Sequence, residues 1–356
     1  MMFNDFQGAW KQACGTKGGV FRIQPGTYTL SGTILFEGPC NGYTTVTIDG
    51  YVKASDELTL PSGYWIGFLN VDGLTINGRG TLDGNGPPVW GRTDNAPVLL
   101  NFEKVSNLRV EDITLKNSKM FHMKIVDSQH VTVQHVHISA PGNSPNTDGV
   151  HIGRAYDIRI INSFIASGDD CISIGDGSSN VNISGIFCGP GHGISIGSLG
   201  KFQGEKDVSS VHVSNCTLTN TLNGIRIKTI GPNSVPLKVY NVTYEHIIID
   251  NVYYPIIFDQ NYCPSKKCAR ADSNVKIQGV KIIDVRGSSG QPVSVNLDCS
   301  GTKRCEDIQF SELNLKFKGQ ATTAGCSNAD AKFIGSNQVP SKCSGPAVPI
   351  DPIGAV

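Results

Sequence analysis

Short segments in which aliphatic residues alternate with other residues recur along this chain. Four of them align with one another: TDGVHIG from Thr147, DDCISIG from Asp169, GHGISIG from Gly191 and LNGIRIK from Leu222. Successive side chains of a strand point to opposite faces of its sheet, so the two aliphatic residues of each segment share one face. The pairs are Val150/Ile152, Ile172/Ile174, Ile194/Ile196 and Ile225/Ile227. The pattern predicts four stacked strands with an inward aliphatic face.

The same alternation continues outside those four segments. It recurs in GLTING at Gly73, NLRVED at Asn107, HVTVQH at His130, DIRIIN at Asp157, NVKIQG at Asn274 and DIQFSE at Asp307. No segment with helical periodicity separates these strands, which excludes a doubly wound α/β fold. The 41 glycines suit tight corners between strands. We therefore predict an all-β, single-stranded parallel β-helix, or solenoid, that forms a single domain over residues 1–343 and ends in an irregular tail at 344–356.

One helix is predicted before the first strand. We interpret the segment FNDFQGAWKQAC, from Phe3 to Cys14, as a helix. A solenoid leaves unpaired backbone groups and apolar side chains at each end, so an end needs a cover. We expect this helix to cap the open end of the solenoid.

Stacking of the aligned segments concentrates acidic side chains. Asp148, Asp170 and His192 fall in one outward column with neighbours about 4.8 Å apart, and Asp169 precedes Asp170 by one place. Each aspartate also has a plainer interpretation, since aspartates in turns often accept hydrogen bonds from their own backbone. The coincidence of three carboxyl groups and an imidazole on neighbouring strands favours a catalytic site.

Two cations lie beside that column. Arg226 and Lys228 are two residues apart on one predicted strand, so both face outward. Ion pairs with surface acids would explain them without a ligand. A substrate that carries carboxylates would explain them too, because a guanidinium binds a carboxylate with two parallel hydrogen bonds.

Overall charge and hydropathy exclude two classes of partner. Lys plus Arg and Asp plus Glu each number 30, so no net field draws the chain to nucleic acid or to a membrane surface. No apolar stretch approaches the roughly 20 residues that a membrane-spanning helix needs. The first 14 residues lack the basic start and apolar run of a signal peptide, so a signal segment is not present in this sequence.

Cysteine usage nevertheless points to an oxidising, extracellular compartment. Eleven cysteines include five pairs that are close in sequence: Cys14/Cys40, Cys171/Cys188, Cys263/Cys268, Cys299/Cys305 and Cys326/Cys343. Sequence does not determine connectivity, but we expect these local pairs to form disulfides and Cys216 to be a buried thiol. The spacings of zinc ligands are missing. Glycosylation sequons at Asn182, Asn215 and Asn241 also favour a secreted glycoprotein.

Four short motifs give the chain a resemblance to a known family. NTD at Asn146, GDD at Gly168, GHG at Gly191 and RIK at Arg226 occur in the order typical of polygalacturonases, which are family 28 glycoside hydrolases. The segments CGPGHGISIGSLG from Cys188 and DQNYCP from Asp259 are similar to the plant branch of that family. The resemblance extends from Ala9 to Cys343 and implies that the β-helix is right-handed.

The resemblance also implies roles for individual residues. Asp169 would be the general acid, Asp148 and Asp170 would hold and activate the attacking water with inversion, and His192 would orient the acid's proton. Arg226 and Lys228 would bind a galacturonate carboxylate, with Tyr262 and Asn146 as further substrate contacts. Tyr262 could instead pack beside a disulfide. No metal or cofactor is expected, and the partner would be the pectin polysaccharide polygalacturonate, bound by a monomer in the cell wall.

Three alternatives to an exo-acting hydrolase stay open at this point. CPSKKC from Cys263 and LDCSGTKRCEDI from Leu297 resemble the exo-acting, pollen-type plant branch, whereas endo-cleavage would need an open groove. A pectate lyase on a similar solenoid would need calcium and an arginine base, which the GHG segment and the aspartate set argue against. A catalytically inactive, allergen-like pectin-binding protein is the third alternative.

Overall fold

The computed structural model describes residues 3–93, 95–231, 235–263 and 272–350. Within these residues the chain has one helix, α1 (Phe3–Cys14), which matches the predicted segment, and all other regular structure is β-strand. The residues fall into two compact units, Met1–Asp170 and Cys171–Val356. Among the described residues no helix is long and apolar enough to cross a membrane. That residues 1–343 act as a single domain stays a prediction.

The described residues of unit 1 form seventeen short strands in addition to α1. They are β1 (Val20–Ile23), β2 (Thr27–Leu30), β3 (Ile34–Glu37), β4 (Thr44–Ile48), β5 (Tyr51–Ala54), β6 (Tyr64–Leu69), β7 (Asp72–Asn77), β8 (Thr81–Asp83), β9 (Val98–Glu103), β10 (Ser106–Glu111), β11 (Thr114–Lys116), β12 (Met123–Val126), β13 (Gln129–Gln134), β14 (His137–Ser139), β15 (Val150–Gly153), β16 (Tyr156–Ile161) and β17 (Phe164–Ala166). Strands β3, β6, β9, β12 and β15 pair in parallel, and we call them the front sheet of unit 1.

The described residues of unit 2 form sixteen strands, of which three exceed ten residues. They are β18 (Ile172–Ile174), β19 (Ser179–Ser184), β20 (Phe187–Cys188), β21 (Ile194–Leu199), β22 (Val208–Thr219), β23 (Asn223–Ile230), β24 (Leu237–Val252), β25 (Tyr254–Tyr262), β26 (Val275–Ser289), β27 (Val293–Asp298), β28 (Cys305–Ser311), β29 (Asn314–Phe317), β30 (Gln320–Ala321), β31 (Thr323–Ser327), β32 (Ala329–Ile334) and β33 (Cys343–Gly345). Its front sheet consists of β18, β21, β23, β25, β27, β31 and β33, all paired in parallel.

Successive coils repeat the same strand order, which is the parallel β-helix that the alternation predicted. In unit 1, for example, β9, β10 and β11 of one coil pair with β12, β13 and β14 of the next. Aliphatic and aromatic residues fill the inside as columns: the rings of Phe68 and Phe102 stack with centroids 5.4 Å apart. The predicted inward residues Val150, Ile152 and Ile174 are completely buried.

Helix α1 covers the first coils of unit 1. Trp10 is 3% exposed, its Nε1 donates to the carbonyl of Glu37 at 3.0 Å, and its ring lies 5.2 Å from Phe36 and 5.6 Å from Phe68. Phe6 meets Phe21 edge-on at 5.6 Å. The apolar side of the helix therefore continues the aromatic column of the core, as expected of a cap.

Four of the five predicted disulfides are present among the described residues. They are Cys14–Cys40, Cys171–Cys188, Cys299–Cys305 and Cys326–Cys343. The predicted partner of Cys263, Cys268, lies outside the described residues, as does the end of the predicted tail, 351–356. Cys216 is a buried free thiol, as predicted, and burial raises its pKa to about 11. It is therefore inert while the protein is folded.

Candidate active site

The three predicted aspartates lie on two neighbouring turns of unit 1. Asp148 stands just before β15, and Asp169 and Asp170 close the unit. The backbone N–H of Gly149 donates to the carbonyl of Asp170 at 2.9 Å, which joins the two turns directly. Asp148 and Asp170 are 5% and 1% exposed, whereas Asp169 is half-buried. Carboxyl oxygens of Asp169 and Asp170 lie within 4.8 Å of each other.

Asn146 orients the half-buried aspartate. Its Nδ2 donates to Asp169 Oδ2 at 3.1 Å, and the backbone N–H of Asp170 donates to Asp169 Oδ1 at 2.8 Å. Both oxygens of Asp169 thus have a donor, and the carboxyl plane is held in place. The predicted substrate contact of Asn146 stays a prediction, but its amide already has a structural partner.

A threonine and a glycine connect the NTD and GDD motifs. Thr147 is completely buried, accepts a hydrogen bond from the backbone N–H of Gly168 at 3.0 Å, and shares a 2.6 Å hydrogen bond with the Ser144 hydroxyl. A Cβ on Gly168 would lie only 2.0 Å from the carbonyl of Ser144. These contacts explain why a threonine and a glycine accompany the aspartates: they set the separation of the two turns.

His122, which the sequence analysis missed, supports Asp148 from inside the unit. It is completely buried, and its backbone N–H donates to the carbonyl of Asp148 at 2.8 Å. Its Nδ1 lies 3.2 Å from the carbonyls of both Thr147 and Asp148, and its Nε2 accepts from the N–H of Ser118 at 3.3 Å. Burial lowers its pKa to about 4, so the ring is neutral with its proton on Nδ1. The surrounding sequence SKMFHMKI does not indicate that this histidine contacts the turn of Asp148.

In unit 2 the GHG motif presents His192 between two close backbone contacts. Gly191 bridges to Thr221, and its carbonyl accepts from the N–H of Leu222 at 2.8 Å. Gly193 has a φ of 81°, and a Cβ there would lie 2.2 Å from the carbonyl of Asn223. His192 itself is half-buried. The glycines are required for the close approach of these turns, and the histidine is the one side chain that the motif displays.

Arg226 and Lys228 face the same side of β23, as predicted. They are only 8% and 7% exposed, and the Tyr262 ring centroid lies 4.9 Å from Arg226 Cζ and 5.4 Å from Lys228 Nζ. Both distances are in the range of a cation–π interaction. Arg226 Nε is buried without a hydrogen-bond partner among the described residues. Because buried donors are nearly always satisfied, this N–H indicates a place for an anionic ligand.

Asp259 is a second residue that the sequence analysis missed. It is 5% exposed and pairs in register with Lys228 on β23 and with Asp298 on β27. Burial raises its pKa to about 6, although Arg226, Lys228 and a hydrogen bond from the N–H of Asn261 at 3.0 Å act in the opposite direction. The carboxyl group therefore changes charge near neutral pH beside the two cations. The motif DQNYCP contained it, but only its tyrosine was singled out.

Metal binding by the aspartates is not required by the geometry. Carboxylate oxygens are the ligands that Ca²⁺ and Mg²⁺ prefer. The oxygens of Asp169, however, already accept hydrogen bonds from Asn146 and Asp170. The expectation of a site without metal or cofactor stays a prediction.

Comparison with known proteins gives the family. The model of Glycosyl hydrolases family 28 matches residues 14–339. An exopolygalacturonase from Platanus acerifolia is 42% identical over 94% of this chain and 92% of its own, and a polygalacturonase from Medicago sativa is 39% identical over 96% and 84%. An endo-xylogalacturonan hydrolase from Aspergillus tubingensis has the same fold, with a TM-score of 0.79, 24% identity and coverage of 94% of this chain and 93% of its own. The chain belongs to glycosyl hydrolase family 28.

Proposed function

We propose that this protein is a polygalacturonase that hydrolyses α-1,4-galacturonosyl linkages of de-esterified pectin with inversion. The main support for the proposal is the group formed by Arg226, Lys228 and Tyr262. Both cations are nearly buried and lie against the Tyr262 ring, and Arg226 Nε–H has no hydrogen-bond partner among the described residues. A galacturonate unit offers a carboxylate for the cations and an apolar sugar face for the ring. Membership of family 28 supports glycoside hydrolysis as the reaction.

In the proposed mechanism the aspartates divide the acid and base work. Asp169 donates a proton to the leaving glycosidic oxygen, while Asp148 and Asp170 hold and deprotonate the water that attacks the anomeric carbon. His192 positions the proton of the acid. The backbone hydrogen bond between Gly149 and Asp170, which joins the two turns, supports a shared site for the three carboxyl groups.

We further propose the exo mode, in which monomers are released from one chain end. The relatives from Platanus acerifolia and Zea mays are both named exopolygalacturonases, at 42% identity. Endo-cleavage is the alternative, because relatives from Medicago sativa and Gossypium barbadense are named polygalacturonases without that qualification.

An extracellular, cell-wall location and a monomeric state complete the proposal. The described disulfides support an oxidising compartment. The asparagines of the three sequons, Asn182, Asn215 and Asn241, are exposed and thus accessible to glycosylation. The relatives come from plants, which supports a wall polysaccharide as substrate.

Product analysis over time on polygalacturonic acid, at mildly acidic pH with a chelator present, tests the function. We expect monomer from the first time point, insensitivity to the chelator, and a loss of at least about a hundredfold in rate for Asp169→Asn, because the general acid is removed. Asp330→Asn is the matched control, since Asp330 is exposed and distant in sequence from the motifs. Its rate should equal that of the unsubstituted protein.

Each other outcome identifies an alternative. A spread of early oligomers would mean endo-cleavage. Unsaturated products that vanish with the chelator would mean a lyase. A folded protein that binds polygalacturonate and releases nothing would be the inactive, pectin-binding protein.

A further inference from the structure

A row of side chains that does not include the aspartates crosses the outward face of the front sheet of unit 1. Asn101 on β9, Lys124 on β12 and His151 on β15 are in register with one another. Their neighbours along the strands, such as Leu100 and Ile125, face the core and are buried. Gly67 on β6 continues the row on the far side of Asn101. Parallel pairing sets these positions about 4.8 Å apart.

Two members of this row have unused hydrogen-bonding groups. Asn101 is 5% exposed, yet its side-chain amide makes no hydrogen bond with any described residue. Lys124 is half-buried, and within the described part of the chain its ammonium forms neither a hydrogen bond nor an ion pair. By contrast Lys119, the other partly enclosed lysine nearby, donates to the carbonyls of Ser55 and Glu57 at 2.7 Å each.

No acidic residue near Lys124 forms an ion pair with its ammonium in the described part of the chain. Asp127 is occupied by a two-bond pair with Arg154, at 2.7 and 2.9 Å. Glu103 attracts Lys124 electrostatically but lies outside ion-pair distance, and burial lowers the lysine pKa. Among the described residues no anion occupies the ammonium of Lys124, which can therefore bind a ligand that supplies a carboxylate.

Aromatic rings stand at both ends of the row. The Tyr64 ring covers Gly67, where a Cβ would lie 2.2 Å from it, and the Phe121 ring stacks on His151 with centroids 4.8 Å apart. Aromatic rings beside polar donors are well suited to a sugar, which has apolar faces and polar edges.

The row also adjoins the turn that carries Asp148. Two residues before Lys124, the N–H of His122 donates to the carbonyl of Asp148, and the N–H of Met123 donates to that of Gly149 at 3.0 Å. A sugar unit bound over Lys124 would therefore lie beside the coil that bears a proposed catalytic carboxylate.

We propose that Asn101 and Lys124, between Tyr64 and the Phe121–His151 stack, form a galacturonate subsite in which the ammonium and the amide bind the sugar carboxylate. This inference rests on the proposed function, because it takes its ligand from the proposed substrate. It adds a second carboxylate-binding position, carried by unit 1, to the one formed by Arg226 and Lys228.

Calorimetric binding of trigalacturonate to the Asp169→Asn protein tests the subsite without turnover. We expect Lys124→Met to weaken binding about tenfold, as the loss of one charge-assisted hydrogen bond predicts. Lys124→Arg should stay within about threefold because it keeps the charge. Lys116→Met is the matched control, since Lys116 is exposed on β11. The affinity of the Lys124→Met protein should also depend less on salt concentration than that of its parent.

The outcomes separate the subsite from the function. Binding by Lys124→Met within about twofold of the Lys116→Met control, with the same salt dependence, would overturn the subsite. Equal losses in Lys124→Met and Lys124→Arg would also overturn it, because they would indicate packing rather than charge. If the Asp169→Asn protein bound no trigalacturonate and the unsubstituted protein released no sugar, both the subsite and the proposed function would fail.

Discussion

Asp259 couples the charge of the Arg226–Lys228 group to pH. Its pKa of about 6 means that the carboxyl group is neutral at mildly acidic pH and ionised above about pH 6. When neutral, it leaves the cations to the carboxylate of the proposed substrate. When ionised, it competes with that carboxylate for the same cations, while Asp298, its neighbour in register, opposes its ionisation. Substrate affinity should therefore fall as pH rises through this range.

We predict that KM for oligogalacturonides rises several-fold between about pH 5 and about pH 7, and that Asp259→Asn abolishes this rise with a smaller effect on kcat. The asparagine cannot ionise, so KM should stay at its low-pH value throughout. Steady-state kinetics at fixed ionic strength measure the effect, with Asp330→Asn as control. An identical rise of KM in the Asp259→Asn protein would contradict the coupling.

At the scale of residues, the sequence predicted which side chains the repeat brings together on neighbouring strands. Asp148, Asp169 and Asp170 lie together because equivalent positions on stacked strands are neighbours, and that follows from spacing alone. His122 and Asp259 were missed, because their roles depend on burial and on contacts with a distant carbonyl or cation. The alternation places such residues on a face, but it does not tell which groups meet them there.

At the scale of elements, strand and helix positions were the most predictable part of the molecule. The helix was expected at Phe3 to Cys14, as observed, and its buried residues Phe6, Trp10 and Ala13 have helical spacing. Corners were less predictable: Asn107 and Asn180 adopt the left-handed conformation at φ values of 53° and 55°, which sequence indicates only as a preference. Strands β22, β24 and β26 are longer than the short strands that the sequence predicted. In each of them the strand continues through a corner instead of ending there.

The capping helix should contribute measurably to stability. We predict that Trp10→Ala lowers the free energy of unfolding by about 3–5 kcal/mol, because it removes a buried indole that contacts Phe36 and Phe68 and leaves a cavity. Denaturant titration followed by circular dichroism measures the loss. Lys11→Ala, at the adjacent exposed position, is the control and should change stability by less than about 0.5 kcal/mol. Equal stability of the two variants would mean that the helix is not a structural cap.

At the scale of the whole molecule, charge is balanced globally but not locally. The chain has 30 basic and 30 acidic residues, so long-range attraction cannot gather a polyanionic substrate. In our proposals recognition depends instead on the enclosed cations Arg226, Lys228 and Lys124, whose interactions salt screens less than those of fully exposed charges. The balanced net charge and the RIK motif predicted this role for Arg226 and Lys228. The same role for Lys124 was inferred only from the structure.

Disulfides are also distributed unevenly, which predicts that reduction affects the two units differently. Among the described residues, unit 1 has one disulfide, which spans 26 residues, and unit 2 has three, which span 17, 6 and 17. In the chain-entropy model each of the longer loops contributes roughly 3 kcal/mol and the shortest about 2. The chain carries natural probes for both units: Trp10, Trp65 and Trp90 lie in unit 1, and the inert thiol of Cys216 lies in unit 2.

We predict that reductant lowers the guanidinium midpoint of unit 2 more than that of unit 1, since unit 2 loses more constraints on its unfolded chain. Tryptophan emission gives the first midpoint. Alkylation of Cys216, quantified on its own peptide by mass spectrometry, gives the second, because the thiol becomes reactive only on unfolding. The same titrations without reductant are the control. Equal shifts of both midpoints would show that the two units do not respond separately to their crosslinks, and a larger shift for the tryptophans would contradict the entropic ranking itself.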